Sequence, residues 1–253
     1  MDLKYACIID HVENAFQGKA ATVVVLGGSS LKTEFGFFGP MAIATQDCSE
    51  ISVESLVSHL KAQKANVDCV LITGAEPLQQ FEAIFNLLAQ LRDNGFQVKL
   101  ETTGFYADNL EKILSYVDAI AMDLKADFDA NTYAKLTGFR GEPATLMQET
   151  LRSIMILKAY KLKKPDFFVE FRTTIIPSIN DSEMVIEKLA GEVKFADAYA
   201  LQQFISDSKL ADENLRQFGT STKPRLIDLA LAAKKHLKNV YIRTRDDGEQ
   251  LVE

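Results

Sequence analysis

The chain has 253 residues, 47% of them apolar and 25% charged, an ordinary globular balance with enough apolar surface for a sizeable core. A formal net charge of −7 and a sequence pI near 5.2 exclude a nonspecific grip on nucleic acid or on an anionic membrane surface. No Pro/Gly/Ser-rich linker, low-complexity stretch, leader-like N-terminus or membrane-length apolar run interrupts the sequence, so one cytoplasmic domain over 1–253, with no membrane contact, is expected.

Short β-branched runs alternate with stretches of helical period. Strands are predicted over 22–26, 68–73, 97–102, 119–123, 167–175, 198–203 and 240–243, most of them near-continuously apolar, as in a parallel sheet covered on both faces. After the first strand, Val53, Leu56, Val57 and Leu60 recur on one helical face, with Ser52 and Glu54 marking its start. Phe81, Ile84, Phe85, Leu88 and Leu91 form the next apolar face, stopped by Asn94-Gly95. Similar patterns cover 146–161, 183–192 and 223–237. Right-handed crossovers close such units, so the predicted fold class is α/β, a partial (β/α)6-type TIM-like barrel with parallel strands.

The three cysteines, Cys7, Cys48 and Cys69, are an odd number at wide spacings, which suits neither a disulfide framework nor a metal knuckle. Cys69 lies inside an apolar run and reads as a small buried hydrophobe, while Cys7 precedes the predicted barrel and Cys48 lies beyond the loop after its first strand.

In a parallel barrel, function collects in the loops after the C-terminal strand ends. Here those ends carry Gly27-Gly28-Ser29-Ser30, Thr73-Gly74-Ala75-Glu76-Pro77, Glu101-Thr102-Thr103-Gly104 and Met122-Asp123-Leu124-Lys125. The fifth strand adds Glu170 and Arg172, and the sixth ends in Gln202-Gln203. Six consecutive strands thus deliver polar groups to one mouth, which predicts a binding site for a charged small ligand.

In order and spacing these motifs resemble the radical-SAM superfamily, and within it the activating enzymes of anaerobic ribonucleotide reductase and pyruvate formate-lyase. The turn Gly74-Ala75-Glu76-Pro77 is similar to that family's Gly-Gly-Glu-Pro, Glu101-Thr102-Thr103-Gly104 to Asp-Thr-Asn-Gly, and Met122-Asp123-Leu124-Lys125 to Met-Asp-Ile-Lys. Thr137-Gly138, Phe171-Arg172-Thr173-Thr174-Ile175-Ile176-Pro177 and Leu201-Gln202-Gln203-Phe204 follow in register. The resemblance implies a pocket for S-adenosyl-L-methionine (SAM), with Gly74, Ala75, Glu76 and Pro77 at the methionine amino group and Thr102, Asp123, Lys125, Arg172 and Gln203 placing the rest. Ala75 stands where the family has glycine, which strains the turn if its φ is positive.

The resemblance breaks after the first strand, where the family's Cys-x-x-x-Cys-x-x-Cys holds a [4Fe-4S] cluster. Ser29, Thr33 and Gly36 occupy those positions. Hydroxyls are hard ligands and glycine offers none, so no cluster, no metal and no radical chemistry are expected. What the resemblance then implies is a pseudoenzyme that binds a small ligand or regulates. Its rivals are an enzyme of polar group transfer, with Glu76, Asp123 and Lys125 as acid, base or electrostatic groups, and a scaffold for a protein partner. A stretch over Ser29–Ser30 and Gly36–Gly39 is a further candidate for backbone anion binding.

Overall fold

The computed structural model describes residues 1–16, 18–28, 48–206 and 217–253. They form a sheet of ten strands: β1 (Asp2–Phe16), β2 (Lys19–Leu26), β3 (Ser49–Ser52), β4 (Cys69–Gly74), β5 (Gln97–Thr102), β6 (Ala119–Asp123), β7 (Phe168–Ile175), β8 (Ala198–Gln203), β9 (Val240–Thr244) and β10 (Gly248–Leu251). Their spatial order is β10-β9-β8-β7-β6-β5-β4-β2-β1-β3. From β2 to β9, with β3 set apart, seven strands are parallel and sit at the seven predicted positions. The parallel α/β fold is therefore as expected, with one strand more than a six-unit barrel. The antiparallel additions β1, β3 and β10 were not expected, and Cys7 lies within the sheet, on β1, rather than before it.

The helices are α1 (Val53–Gln63), α2 (Phe81–Asp93), α3 (Ala107–Ile113), α4 (Ala130–Thr137), α5 (Pro143–Lys163), α6 (Glu183–Glu192) and α7 (Lys223–Ala233). Ser52 caps α1 by accepting from the Ser55 N–H, as its position predicted, and Gly95 ends α2 at φ +67°. α3 and α4 carry no long apolar stripe and were not foreseen.

Strand residues alternate between the two faces of a sheet. Val24 and Leu26, Val70 and Ile72, Val98 and Leu100, Ile120 and Met122, Val169 and Phe171, Tyr199 and Leu201 all join the helices in one buried apolar layer. Each such Val, Leu or Ile contributes about 1.5–3 kcal/mol on burial. The opposite face starts apolar, with Val23, Val25 and Leu71, and then becomes charged from β5 onward, with Lys99, Glu101, Asp123, Glu170, Arg172 and Arg243. The sheet thus buries a hydrophobic outer face and encloses a polar inner one.

Candidate functional site

A cavity of about 710 Å³ lies against the inner face. Val12 and Glu13 of β1 line it together with Arg243 and Glu249 from the other side of the sheet, so the sheet is curled around it. Side-chain size explains why there is room. On β6 the inner residues below Asp123 are Ala119 and Ala121, and on β8 those below Gln202 are Ala198 and Ala200. Between these methyl-lined columns stands β7 with Glu170, Arg172 and Thr174, in register with Ala121, Asp123, Ala198, Ala200 and Gln202. Long charged side chains from β5 and β9 reach β7 across the small ones.

They meet as one network. Lys99 Nζ donates to Glu170 Oε2 at 2.8 Å over the alanines of β6. Arg243 Nη2 lies 2.6 Å from Glu170 Oε1 as an ion pair off the hydrogen-bond axis, since that buried oxygen accepts no well-directed bond. Arg172 reaches Glu101 Oε1 at 2.5 Å and Asp123 Oδ1 at 2.9 Å, and Lys125 Nζ donates to Asp123 Oδ2 at 2.6 Å. Thr73 donates to Glu101 Oε2 at 2.6 Å. Burial pushes the Asp123 carboxyl up, but Arg172 and Lys125 outweigh it and hold the group below the usual aspartate range. Burial acts likewise on Glu170, and Lys99, Arg243 and Arg172 reverse it.

Of the nine residues assigned to the pocket from sequence, Gly74, Ala75, Thr102, Asp123 and Arg172 line the cavity. Gly74 has φ +111°, and a Cβ there would collide with the Leu26 backbone. Ala75 is free of the feared strain, because Ser178 is the one non-glycine residue with positive φ among the described residues; the Ala75 N–H donates to Leu26 O at 3.1 Å. Glu76 is fully buried behind the turn. It accepts from Leu78 N–H, the Thr102 hydroxyl and both the N–H and hydroxyl of Thr103, and burial raises its pKa despite them. Pro77 is buried and opens the short turn Pro77–Gln80. Lys125 stands behind Asp123, outside the lining. Gln203 faces away: it donates to Ser221 O and accepts from the Arg245 N–H. Its neighbour Gln202 lines the cavity instead, with Lys99, Thr103, Arg243 and Glu249.

Sequence reasoning missed Lys99, Arg243 and Glu249 as site residues. The signal was present, since Lys99 and Glu101 alternate with Val98 and Leu100, as Glu170 and Arg172 do with Val169 and Phe171.

Every cysteine of the chain is among the described residues. Cys7 is level with Val25 on β2, Cys69 is level with Ala21, and Cys48 packs its Sγ against Gly27. Among the described residues no three of His, Cys, Asp and Glu are grouped so as to hold a metal ion, and no helix is long and apolar enough to cross a membrane. Ser29, Ser30, Thr33 and the stretch Gly36–Gly39 lie outside the described residues.

A model of the radical SAM superfamily matches residues 35–189. A protein of Methanocaldococcus jannaschii named "Putative glycyl-radical enzyme activating enzyme" is 29% identical over 94% of this chain and 94% of its own length. The pyruvate formate-lyase-activating enzyme of Clostridium pasteurianum is 26% identical over 68% of this chain and 69% of its own. Among solved structures, a domain of the pyruvate-formate lyase-activating enzyme from Bacteroides vulgatus shares the fold with a TM-score of 0.52 at 17% identity, over 70% of this chain and 99% of that one.

Proposed function

Given that the chain belongs to the radical SAM superfamily and is of its activating-enzyme type, we propose that it binds SAM or a SAM-like small ligand without a [4Fe-4S] cluster, as a non-radical regulatory or binding protein. The donor set carries this reading. Such a cluster needs three thiolates converging at one place. The chain has three cysteines in all, and they stand on β1, at the first residue of β4 and beside Gly27, while Ser29, Thr33 and Gly36 take the motif positions. These residues do not fit the cluster.

On the ligand side, the Gly74-Ala75 turn keeps an unstrained backbone, and Glu101, Asp123 and Arg172 present both signs of charge to one cavity, which suits a zwitterionic group. We read Glu76 as the post that holds the turn, and Lys125 as the partner that holds Asp123. Polar group transfer is less well supported, because Glu76, its first acid-base candidate, has no access to the cavity. A protein partner, as the names of the relatives suggest, would dock at the cavity mouth of the single cytoplasmic domain we assign to 1–253.

Anaerobic reconstitution with iron and sulfide tests the cluster half, with no four-iron absorbance and no methionine release from SAM expected. Calorimetry with SAM and its demethylated product tests the ligand half. A brown, SAM-cleaving preparation overturns the first, and silence toward both nucleosides overturns the second.

A further inference from the structure

One wall of the cavity holds donors that the fold leaves unspent. Lys99 Nζ gives a single hydrogen bond, to Glu170. Arg243 engages Glu249 through Nε and Nη2 and Glu170 through Nη2, while its Nη1 bonds no described residue. Gln202 accepts from the Thr174 hydroxyl at 3.3 Å, and its Nε2 bonds no described residue. All three side chains line the cavity, and Lys99 and Gln202 are at least nine-tenths buried. What they have to offer is N–H, and the buried side-chain acceptor left without a directed hydrogen bond beside them is Glu170 Oε1.

These donors converge. Lys99 and Arg243 approach the two oxygens of the same Glu170 carboxylate, and Gln202 and Arg243 are in register on β8 and β9. Their charges are already matched: Lys99, Lys125, Arg172 and Arg243 pair with Glu101, Asp123, Glu170 and Glu249, and Glu13 and Asp247 add further carboxylates to the lining. An additional anion is therefore accommodated by exchange. Glu170 cannot leave, being 4% exposed, whereas Glu249 is 42% exposed on the edge strand β10. Release of Glu249 into water carries little desolvation cost, and an incoming oxyanion would restore the same charge balance and accept from Lys99 and Gln202 as well.

We propose that Lys99, Gln202 and Arg243 form a binding site for the oxyanion of a small molecule, a carboxylate or phosphoryl group, which displaces Glu249 from Arg243. The site uses none of the residues assigned to the SAM-like pocket and does not rest on that reading.

Calorimetric titration of the full chain with inorganic phosphate and, separately, with acetate tests it. Saturable binding of either is expected, and which of the two binds more tightly tells a phosphoryl from a carboxylate ligand. Arg243→Gln is expected to weaken binding roughly tenfold or more. Glu249→Gln, on the exposed side of the pair and expected to fold normally, should tighten it severalfold by removing the internal competitor. Absence of saturable binding to both anions, or an affinity unmoved by Glu249→Gln, overturns the proposal.

Discussion

Cys7 and Cys69 flank β2 at opposite levels: Cys7 is in register with Val25 and Cys69 with Ala21, a separation of about 13 Å along the strand. Cys69 is also 1% exposed, and burial pushes its thiol up to about 11. Iodoacetamide at mildly alkaline pH should therefore label the part-exposed Cys7 and Cys48, while Cys69 stays protected until denaturant is added. Peptide mass spectrometry reads the order, and native-state labelling of Cys69 as fast as Cys48 would contradict it.

The turn after β4 tolerates change at one of its two small residues. Gly74→Ala forces a Cβ into the Leu26 backbone at φ +111° and should cost about 2–4 kcal/mol. Ala75→Gly, where φ is not positive, should cost no more than about 1 kcal/mol. Denaturant unfolding compares them, and equal losses would mean that the turn is not set by Gly74.

Glu76→Gln places an amide N–H₂ where the surrounding groups are all donors: Leu78 N–H, two hydroxyls and Thr103 N–H. A loss of about 2–4 kcal/mol is expected, with weaker SAM binding because the Gly74-Ala75 turn loosens. Unchanged stability would show that the carboxyl is protonated and already acts as a donor.

Acid should weaken the fold through Asp123 and Glu170. Both carboxyls are held below their ordinary values, so each contributes stability above the unfolded pKa, about 3.9 for Asp and 4.3 for Glu, and loses it as pH falls through the depressed folded value. Glu76 runs the other way: raised by burial, its ionised form costs stability as pH rises, and acidification relieves that cost. Asp123→Asn should lose about 3–5 kcal/mol at neutral pH, because it leaves Lys125 without its paired carboxylate and Arg172 with Glu101 alone, and should flatten the acid limb. Unfolding free energies across the acid range check both the sign and the slope.

Filling the alanine columns should close the cavity. Ala121→Leu inserts a branched side chain between Glu101 and Glu170, and a loss of about 1–3 kcal/mol with reduced binding of SAM and of phosphate is expected. Binding retained at wild-type affinity would place both ligands elsewhere.

The parallel strands were legible because their outward residues are uniformly apolar and their ends carry turn residues, as at Gly74 and Asn94-Gly95. β1 was not, because Asp10, His11, Glu13 and Asn14 break its alternation on a strand whose register with β2 is itself irregular. The site was half legible. Motif order found the mouth, yet adjacent residues on a strand face opposite ways, so Gln202 lines the cavity and Gln203 does not. Glu76 was read as a ligand contact because its position in a turn does not reveal which way its carboxylate points. Lys99 and Arg243 were passed over because their partner Glu170 is far from both in sequence, and only the strand order, which leaves a single strand between β7 and either β5 or β9, brings them together.

The division between an apolar outside and an ionic inside gives the two faces separate duties. Cohesion resides where Val24, Val70, Val98, Ile120 and Val169 press against the helices, a layer no solute reaches. Chemistry resides on the reverse side of the same strands. A lineage of such chains can therefore rewrite its interior as matched sets of charges and change what it recognises, while the wall that holds the molecule together stays as it was.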